Sequence, residues 1–211
     1  MSEGLSSLVD PSRTSILVME MQRGVVGDLA RFPGPAEAVR DCGMVDRCAR
    51  LFATGRRAGL RVIHCTAAFR PDRAGSYRNM PMVSQLMDDA KHLPVGSPDV
   101  EVLPEIRDDD DLESQRLHGI SPYAGTDLDS FLRSLETRTC VVTGVSLNRG
   151  VIGTAIESVN HGYNVVVPRD AVIGYPKEYG DQVLRYTLDG LATLSSVDEL
   201  VSIWEGRDGK V

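Results

Sequence analysis

The chain has 211 residues, and its 23 lysines and arginines against 30 aspartates and glutamates leave a formal charge of −7. This length suits one domain over residues 1–211, with a core of about 14–205 that needs no disulfide or metal to hold it. The acidic balance argues against a general nucleic-acid-binding protein, which needs a basic surface. No apolar run approaches the ~18 residues of a membrane span, and no secretory signal is recognisable. We therefore expect a cytoplasmic protein without nucleic-acid or membrane partners.

Short apolar runs that predict buried strands alternate with segments of helical periodicity. The predicted strands, in chain order, are 15–19, 61–65, 111–117, 139–143, 163–167 and 192–194. The predicted helices are 36–58, 127–135 with Thr126 as a possible N-cap, about 148–160, 177–188 and a last helix that begins after Ser196. Residues 67–82 are rich in Arg, Pro, Gly, Asn and Ser and predict a loop. This alternation predicts an α/β fold with a mainly parallel six-stranded sheet.

In sheets of this kind, ligands bind at the carboxyl ends of the strands. Candidate functional residues are therefore those that follow the predicted strands. They are 20–22, 65–66, 117–119 and 144–146.

Three familiar motifs are matched only in part by the sequence. Gly144 and Gly150 lack the GxGxxG spacing, and no Lys-Ser/Thr pair follows them, which argues against a nucleotide site. Ser146 stands at a strand-to-helix turn where a serine nucleophile would stand, but Asn148 replaces the second glycine of that elbow. A turn or cap role is the alternative for Ser146. The four histidines have no metal-ligand spacing, so we predict no metal and no cofactor.

Four stretches, in this order, resemble the isochorismatase-like, or cysteine hydrolase, superfamily. Residues 14–22 are similar to its first strand, which ends in Asp-Met-Gln, and 121–128 to its Ser-Ala-Phe-x-Gly-Thr-x-Leu segment. Residues 141–155 resemble the strand, turn and helix around its nucleophile, and 162–171 its next strand, where Gly-Tyr and Asp-Ala recur. The resemblance implies a three-layer α/β/α sandwich with sheet order 3-2-1-4-5-6, a small-molecule substrate, and a homodimer or higher homo-oligomer.

The family's hydrolases use an Asp, a Lys and a Cys, and none of the three matching positions holds the expected residue. Glu20 stands in the Asp position, Leu117 in the Lys position, and Gly150, six residues beyond the turn glycine, in the Cys position. Because glycine has no side chain, cysteine-dependent amide hydrolysis at this position is close to excluded. A thiol relocated to Cys65 is one alternative. The four cysteines otherwise form no CxxC pair and are interpreted as small buried residues.

One chemistry that the resemblance implies needs no nucleophile. Isochorismatases cleave a vinyl ether: an acid protonates the enol-ether carbon, and water adds to the resulting cation. Glu20 could be that acid, although a polar strand-end residue paired with a neighbour is the alternative. Arg116 takes the place of the missing lysine if the segment carries one extra residue, whereas His118 could turn into the pocket because a glycine follows it.

Other residues are predicted to line the pocket. They are Gln22, Arg70, Arg73, Arg116, Leu117, Tyr123, Ser146, Asn148, Arg149 and Gly150. For Arg70 and Arg73 the alternative is solvated loop charge. Tyr123 stands where the family has Phe, and Asn148 and Arg149 open a helix whose N-terminus favours negative charge. The family also implies a cis peptide bond before Ser146.

The resulting hypothesis is a hydrolase that acts on a small polar or anionic metabolite by non-covalent acid–base chemistry, with Glu20 and His118 as the catalytic residues. The alternative is an inactive family member that binds a metabolite or a protein partner. For the expected homo-oligomer, the segment 67–94 with its methionines is the candidate contact region. Those methionines are Met80, Met82 and Met87.

Overall fold

The computed structural model describes residues 2–89 and 91–206; the predicted single domain also takes in 1, 90 and 207–211, which lie outside them. The strands of the sheet are β1 Thr14–Met19, β2 Arg61–Ala67, β3 Leu112–Arg116, β4 Thr139–Gly144, β5 Asn164–Pro168 and β6 Thr193–Ser195. Every neighbouring pair is parallel, and the order is β3-β2-β1-β4-β5-β6. The predicted fold class and strand order are therefore confirmed.

The helices differ from the predicted ones in one main respect. In the described residues they are α1 Ser2–Leu8, α2 Arg23–Val26, α3 Pro33–Asp41, α4 Met44–Arg57, α5 Pro81–Asp88, α6 Leu128–Ser134, α7 Ile152–Asn160, α8 Lys177–Tyr186 and α9 Val197–Glu205. The single helix predicted over 36–58 is two helices, because Gly43 takes a left-handed conformation with φ of 64° between them. Asp127, not Thr126, occupies the N-cap of α6, although the Thr126 hydroxyl accepts a hydrogen bond from Leu128 N at 3.3 Å.

The core lies on both faces of the sheet, which explains why the strands read as continuous apolar runs. All six residues of β1 are buried. Alternate side chains of β1 enter opposite layers: Ile16 packs with Phe52 of α4 and Trp204 of α9, whereas Leu17 packs with Leu132 of α6. The two layers of helices leave the carboxyl ends of the strands as the place where polar residues can gather.

A third, smaller cluster lies under the loop that follows β2 and includes the methionines of the proposed contact region. Met87 is buried there beside Phe69 and Leu93, and Met80 and Met82 are partly buried against the same cluster. These side chains therefore pack within their own chain. The homo-oligomer stays a prediction.

No helix in the described part of the chain is both long enough and apolar enough to cross a membrane. The longest of them, α4, has 14 residues, whereas a span needs about 20.

Candidate active site

Glu20 directly follows β1 at the carboxyl edge of the sheet, in a backbone conformation that glutamate rarely adopts. Its φ is 48°, in the left-handed region, which costs a non-glycine residue roughly 1–2 kcal/mol. Its N–H donates to Cys65 O at 3.0 Å, and its own carbonyl accepts from Gln22 N at 2.8 Å. Such outliers cluster at functional sites, because the surrounding structure must hold them in place.

Arg116, the last residue of β3, supplies the cation that faces Glu20. β2 separates their two strands, so the Arg116 side chain crosses over the end of β2, where Arg116 is in register with Ala67. Its Nη2 donates to Glu20 Oε1, and its Nε donates weakly to Gly119 O at 3.4 Å. The Arg116 side chain is 6% exposed and that of Glu20 is 20% exposed. The pair is therefore largely shielded from solvent.

One donor of this guanidinium has no partner. Arg116 Nη1 is buried and makes no hydrogen bond to any of the described residues. Leaving a buried donor unpaired costs about 1–3 kcal/mol, and more for a charged group. A ligand oxygen placed beside Nη1 would satisfy it. This free donor and the Glu20 carboxylate together form a site that can both bind an oxygen and transfer a proton.

The other two candidates for the lysine role do not join this pair. Leu117 is partly buried against the third cluster, and its carbonyl accepts from Ser76 Oγ at 2.5 Å. The His118 ring lies on the Tyr77 ring, with centroids 4.7 Å apart. No hydrogen bond among the described residues links His118 to Glu20 or Arg116. Its expected catalytic role therefore gains no support, because its ring lies against an exposed loop residue.

The turn after β4 has the geometry that the resemblance implied. The Val145–Ser146 peptide bond is cis, and a π-helical turn follows over Leu147–Val151. Gly144 has a φ of 97°, and a Cβ there would lie 2.2 Å from Met19 O, so no larger residue fits. π-Helical turns are frequent at functional sites.

Gly150, in this π-helical turn, has only limited space beside it. A Cβ at this position would lie 3.1 Å from Val145 O and 3.2 Å from Met19 Cε. The Met19 side chain thus takes part of the room in which a nucleophile would stand. Position 150 has no cysteine, and the packing around it also disfavours a side chain there.

The polar residues around the same turn bond to one another. Ser146 Oγ donates to Asn148 Oδ1, and Asn148 Nδ2 donates to Tyr175 O at 3.4 Å. Arg149 is exposed. No histidine among the described residues hydrogen-bonds to Ser146, so its geometry favours the turn role over the nucleophile.

Gln22, expected in the pocket, is fully buried, and its side chain hydrogen-bonds to the backbone of two neighbouring segments. Its amide donates to Ala67 O and Val100 O, both at 2.9 Å, and its Oε1 accepts from Ala67 N at 2.8 Å. These three bonds tie the end of β1 to the end of β2 and to the loop before β3. Gln22 therefore positions the edge that carries Glu20.

The other pocket candidates make their hydrogen bonds and ion pairs with residues other than Glu20. Arg70 is exposed and forms a two-bond ion pair with Asp72, which lowers the pKa of that carboxyl to about 2. Arg73 donates to Asp89 O at 2.9 Å. That Tyr123 lines the pocket stays a prediction, although its hydroxyl is buried against Ser158 Oγ at 2.8 Å. The tyrosine points into the second core layer because Ser158 offers it a partner there.

The relocated thiol is also disfavoured. Cys65 is fully buried in the core layer that contains Leu17 and Met19. Burial raises the pKa of its thiol to about 12, and the thiolate is the nucleophile. Elsewhere in the described residues, no three histidine, cysteine or acidic side chains converge to hold a metal ion.

Sequence analysis did not single out His92, which lies in the loop after α5. Its ring is buried, and its Nδ1 has no hydrogen-bond partner among the described residues. It belongs to no recognisable motif and follows no strand, so no sequence signal marked it.

The chain was compared with known proteins. The isochorismatase domain family model matches residues 14–199. The isochorismatase family protein YecD of Escherichia coli O157:H7 is 27% identical over 199 residues, covering 90% of this chain and 95% of that protein. A cysteine hydrolase from Pseudomonas syringae pv. phaseolicola 1448A superposes with a TM-score of 0.79 at 23% identity, over 94% of this chain and 95% of that one. The N-carbamoylsarcosine amidase of Thermoplasma acidophilum gives 0.69 at 25% identity, over 88% and 97%.

Proposed function

The chain belongs to the isochorismatase family, and from this premise we propose that it is a hydrolase of small polar or anionic metabolites that works by acid–base chemistry at Glu20, without a covalent intermediate. The family's members are hydrolases, which supports an enzyme. The observation that carries the proposal is the shielded Glu20–Arg116 pair, at the same edge of the sheet as the turn that contains Gly150. It combines a proton-transferring group with a cation, and it lacks a nucleophile.

The geometry of the pair divides its work between atoms. Arg116 Nη2 occupies Oε1 of Glu20, which leaves Oε2 as the oxygen that takes up a proton from solvent and passes it to the substrate. Arg116 Nη1 has no partner among the described residues and would donate a hydrogen bond to a carboxylate or carbonyl oxygen of the substrate. A substrate bound in this way would lie beside Oε2, and proximity of that kind is a large part of catalysis.

Vinyl-ether hydrolysis is the reaction that best fits these groups. Glu20 gives its proton to the enol-ether carbon, and the resulting cation is attacked by water. The hemiketal that forms then breaks into a carbonyl compound and an alcohol, with the hydroxyl proton passing to the departing oxygen. No step requires a bond to the protein, so a glycine at position 150 is compatible with every step.

A second candidate function is binding without turnover. The observation in its favour is the same unpaired Arg116 Nη1, because a buried donor can hold an anionic ligand in a protein that catalyses nothing. In that case Glu20 serves only to neutralise and orient Arg116. The two functions differ in whether replacing the Glu20 carboxyl group abolishes turnover.

The test is turnover of the wild-type protein and of Glu20→Gln. The panel contains isochorismate, simpler carboxylate-bearing vinyl ethers, and amides, with products followed by mass spectrometry. General acid–base groups typically contribute about 10²- to 10⁴-fold, so Glu20→Gln should lose about that much vinyl-ether turnover at a temperature well below its thermal midpoint, which should itself fall because the buried Arg116 loses its charged partner. Glu205→Gln, which alters an exposed carboxylate on α9, is the matched control and should behave as wild type. Unchanged turnover in Glu20→Gln would remove this residue from the mechanism, and ligand binding without any turnover would favour the second function.

A further inference from the structure

We propose that His92 is a further catalytic residue of this site, whose Nδ1 receives the proton of the water molecule that adds to the substrate. The inference rests on the proposed function and completes it. Glu20 supplies a proton to the substrate, and a second group that takes the proton of the water spares the Glu20 carboxylate from serving both transfers.

The loop that carries His92 lies against the same edge of the sheet as Glu20. Phe69, just beyond β2, donates its N–H to Leu93 O at 2.8 Å, and Leu103 N donates to Met21 O at 3.0 Å. The Leu93 side chain also packs tightly on Gly24, since a Cβ there would lie 2.8 Å from Leu93 Cδ2. These contacts fix residues 92–103 beside the ends of β1 and β2.

The His92 ring is buried between two aromatic rings. It is 6% exposed, with ring centroids 5.9 Å from Phe32 and 5.8 Å from Phe69. Its Nδ1 makes no hydrogen bond to any described residue. More than nine in ten buried polar groups are paired in folded proteins, so an unpaired ring nitrogen at a candidate site indicates a water or ligand partner. Arg116 Nη1, at the same edge of the sheet, is also buried without a hydrogen-bond partner among the described residues.

The backbone beside His92 is strained in the same way as the backbone at Glu20. Leu93 has a φ of 45° and Glu20 a φ of 48°, both in the left-handed region. Leucine is costly there because its Cβ crowds the carbonyl oxygen. Two such residues at one edge of the sheet indicate that packing around the site over-determines the local geometry.

Burial, rather than the neighbouring charges, favours the neutral form of the His92 ring. Burial lowers its pKa and is the largest influence; Asp89, Glu20 and Asp99 oppose it, and Arg31 acts in the same direction as burial. A neutral imidazole has one nitrogen with a free lone pair. His92 can therefore accept a proton under conditions in which an exposed histidine would be partly charged.

The proton balance of the reaction closes with His92 included. Glu20 loses a proton to the enol-ether carbon, and the water oxygen bonds to the cationic carbon while its proton passes to His92 Nδ1. The hemiketal hydroxyl proton then moves to the departing ether oxygen as the carbon–oxygen bond breaks. Proton exchange with solvent returns His92 and Glu20 to their starting forms.

The placement is tested without any substrate, by following the ring nitrogens of the four histidines by NMR as pH is varied. If His92 faces Glu20, removing the Glu20 charge with Glu20→Gln lowers the His92 titration midpoint by about 0.5 pH units, the size expected for one charge several ångströms away. The same midpoint in Glu205→Gln as in wild type serves as the control. An identical His92 midpoint in Glu20→Gln and wild type overturns the inference even if the enzyme is active.

The role is tested with isochorismate or the best vinyl ether of the panel. His92→Phe keeps an aromatic ring between Phe32 and Phe69 but has no nitrogen, so it should fold normally and lose about 10²-fold in kcat with little change in KM. In the wild-type protein, protonation of His92 should lower kcat at low pH. This decrease should be missing from the pH profile of His92→Phe. His92→Asn should show the same two effects. Wild-type turnover and pH profile in His92→Phe overturn the catalytic role, whereas a wild-type protein without any turnover contradicts the proposed function itself.

Discussion

Arg116 and Glu20 are 96 positions apart in the chain and form an ion pair across the end of the intervening strand β2. The guanidinium has almost no solvent contact and no second carboxylate partner among the described residues. Taking charges out of water is costly unless each is matched. The charge of each residue therefore stabilises the other in its buried position.

Arg116→Met keeps the length of the side chain but leaves Glu20 without its cation. Removing one partner of a buried pair costs roughly 3–5 kcal/mol, and since Glu20 retains some exposure we expect about 3 kcal/mol of lost unfolding free energy in urea. Arg116→Lys keeps the charge and should lose much less. A double-mutant cycle with Glu20→Gln measures the coupling. If the losses of unfolding free energy in the two single variants add up to the loss in the double variant, the interaction between Arg116 and Glu20 contributes nothing to stability.

Thiol chemistry should leave the activity unchanged. Burial raises the pKa of Cys48, Cys65 and Cys140 to about 12 each, whereas Cys42 is partly exposed. Iodoacetamide at pH 8 should therefore modify Cys42 in the native protein and spare the other three, as read by peptide mass spectrometry. Turnover should be that of the untreated protein. Loss of activity in step with Cys65 alkylation, with the fold retained, would restore the relocated-thiol mechanism.

Gly150→Cys should not create an amidase. The new Cβ would lie 3.1 Å from a backbone carbonyl and 3.2 Å from Met19 Cε, and overpacking of this kind costs about 1–3 kcal/mol. We expect a lower thermal midpoint, reduced vinyl-ether turnover and no amide hydrolysis. Gly150→Ala separates crowding from thiol chemistry and should reproduce the stability loss. Amide turnover in Gly150→Cys but not in Gly150→Ala would contradict this view of the site.

Asp111 stabilises the fold through a buried network, and this contribution should depend on pH. Burial works against its ionisation, but hydrogen bonds from His64 at 2.8 Å and from Arg56 at 2.9 and 2.6 Å hold the pKa of this carboxyl below its ordinary value. A lowered pKa in the folded state stabilises the protein above the unfolded value of about 3.9, and the effect disappears as pH falls through the folded value.

Asp111→Asn should therefore lose about 3 kcal/mol of unfolding free energy at pH 7, in line with other broken buried pairs. The difference from wild type should shrink below about pH 4. Asp198→Asn, at an exposed carboxylate paired with Arg50, is the control and should change stability by less than about 0.5 kcal/mol. A difference that stays constant from pH 7 to pH 3 would show that Asp111 acts by packing rather than by charge.

Local pattern determined most of the framework of this protein. The strands are predicted from short apolar runs because a sheet covered on both faces excludes polar residues from its strands. Glu20 was located by its place at the end of the first strand, and Gly150 by the resemblance, which implies a nucleophile six residues beyond the turn glycine; the absence of a side chain at position 150 needs no structure to be recognised. The strand order came from the resemblance, since periodicity alone does not say which strands are neighbours.

The tertiary structure decided which cation pairs with Glu20, and it also brings His92 to this edge of the sheet. Arg116 and His118 were equal candidates in sequence, but β3 ends at Arg116, whose side chain is buried toward Glu20, whereas His118 lies in the loop beyond it against Tyr77. Tyr123 turned inward because a buried serine stood within reach of its hydroxyl. His92 follows no strand, and its place depends on loop packing between residues far apart in the chain. Side-chain direction in loops is set by such long-range contacts, which no local pattern encodes.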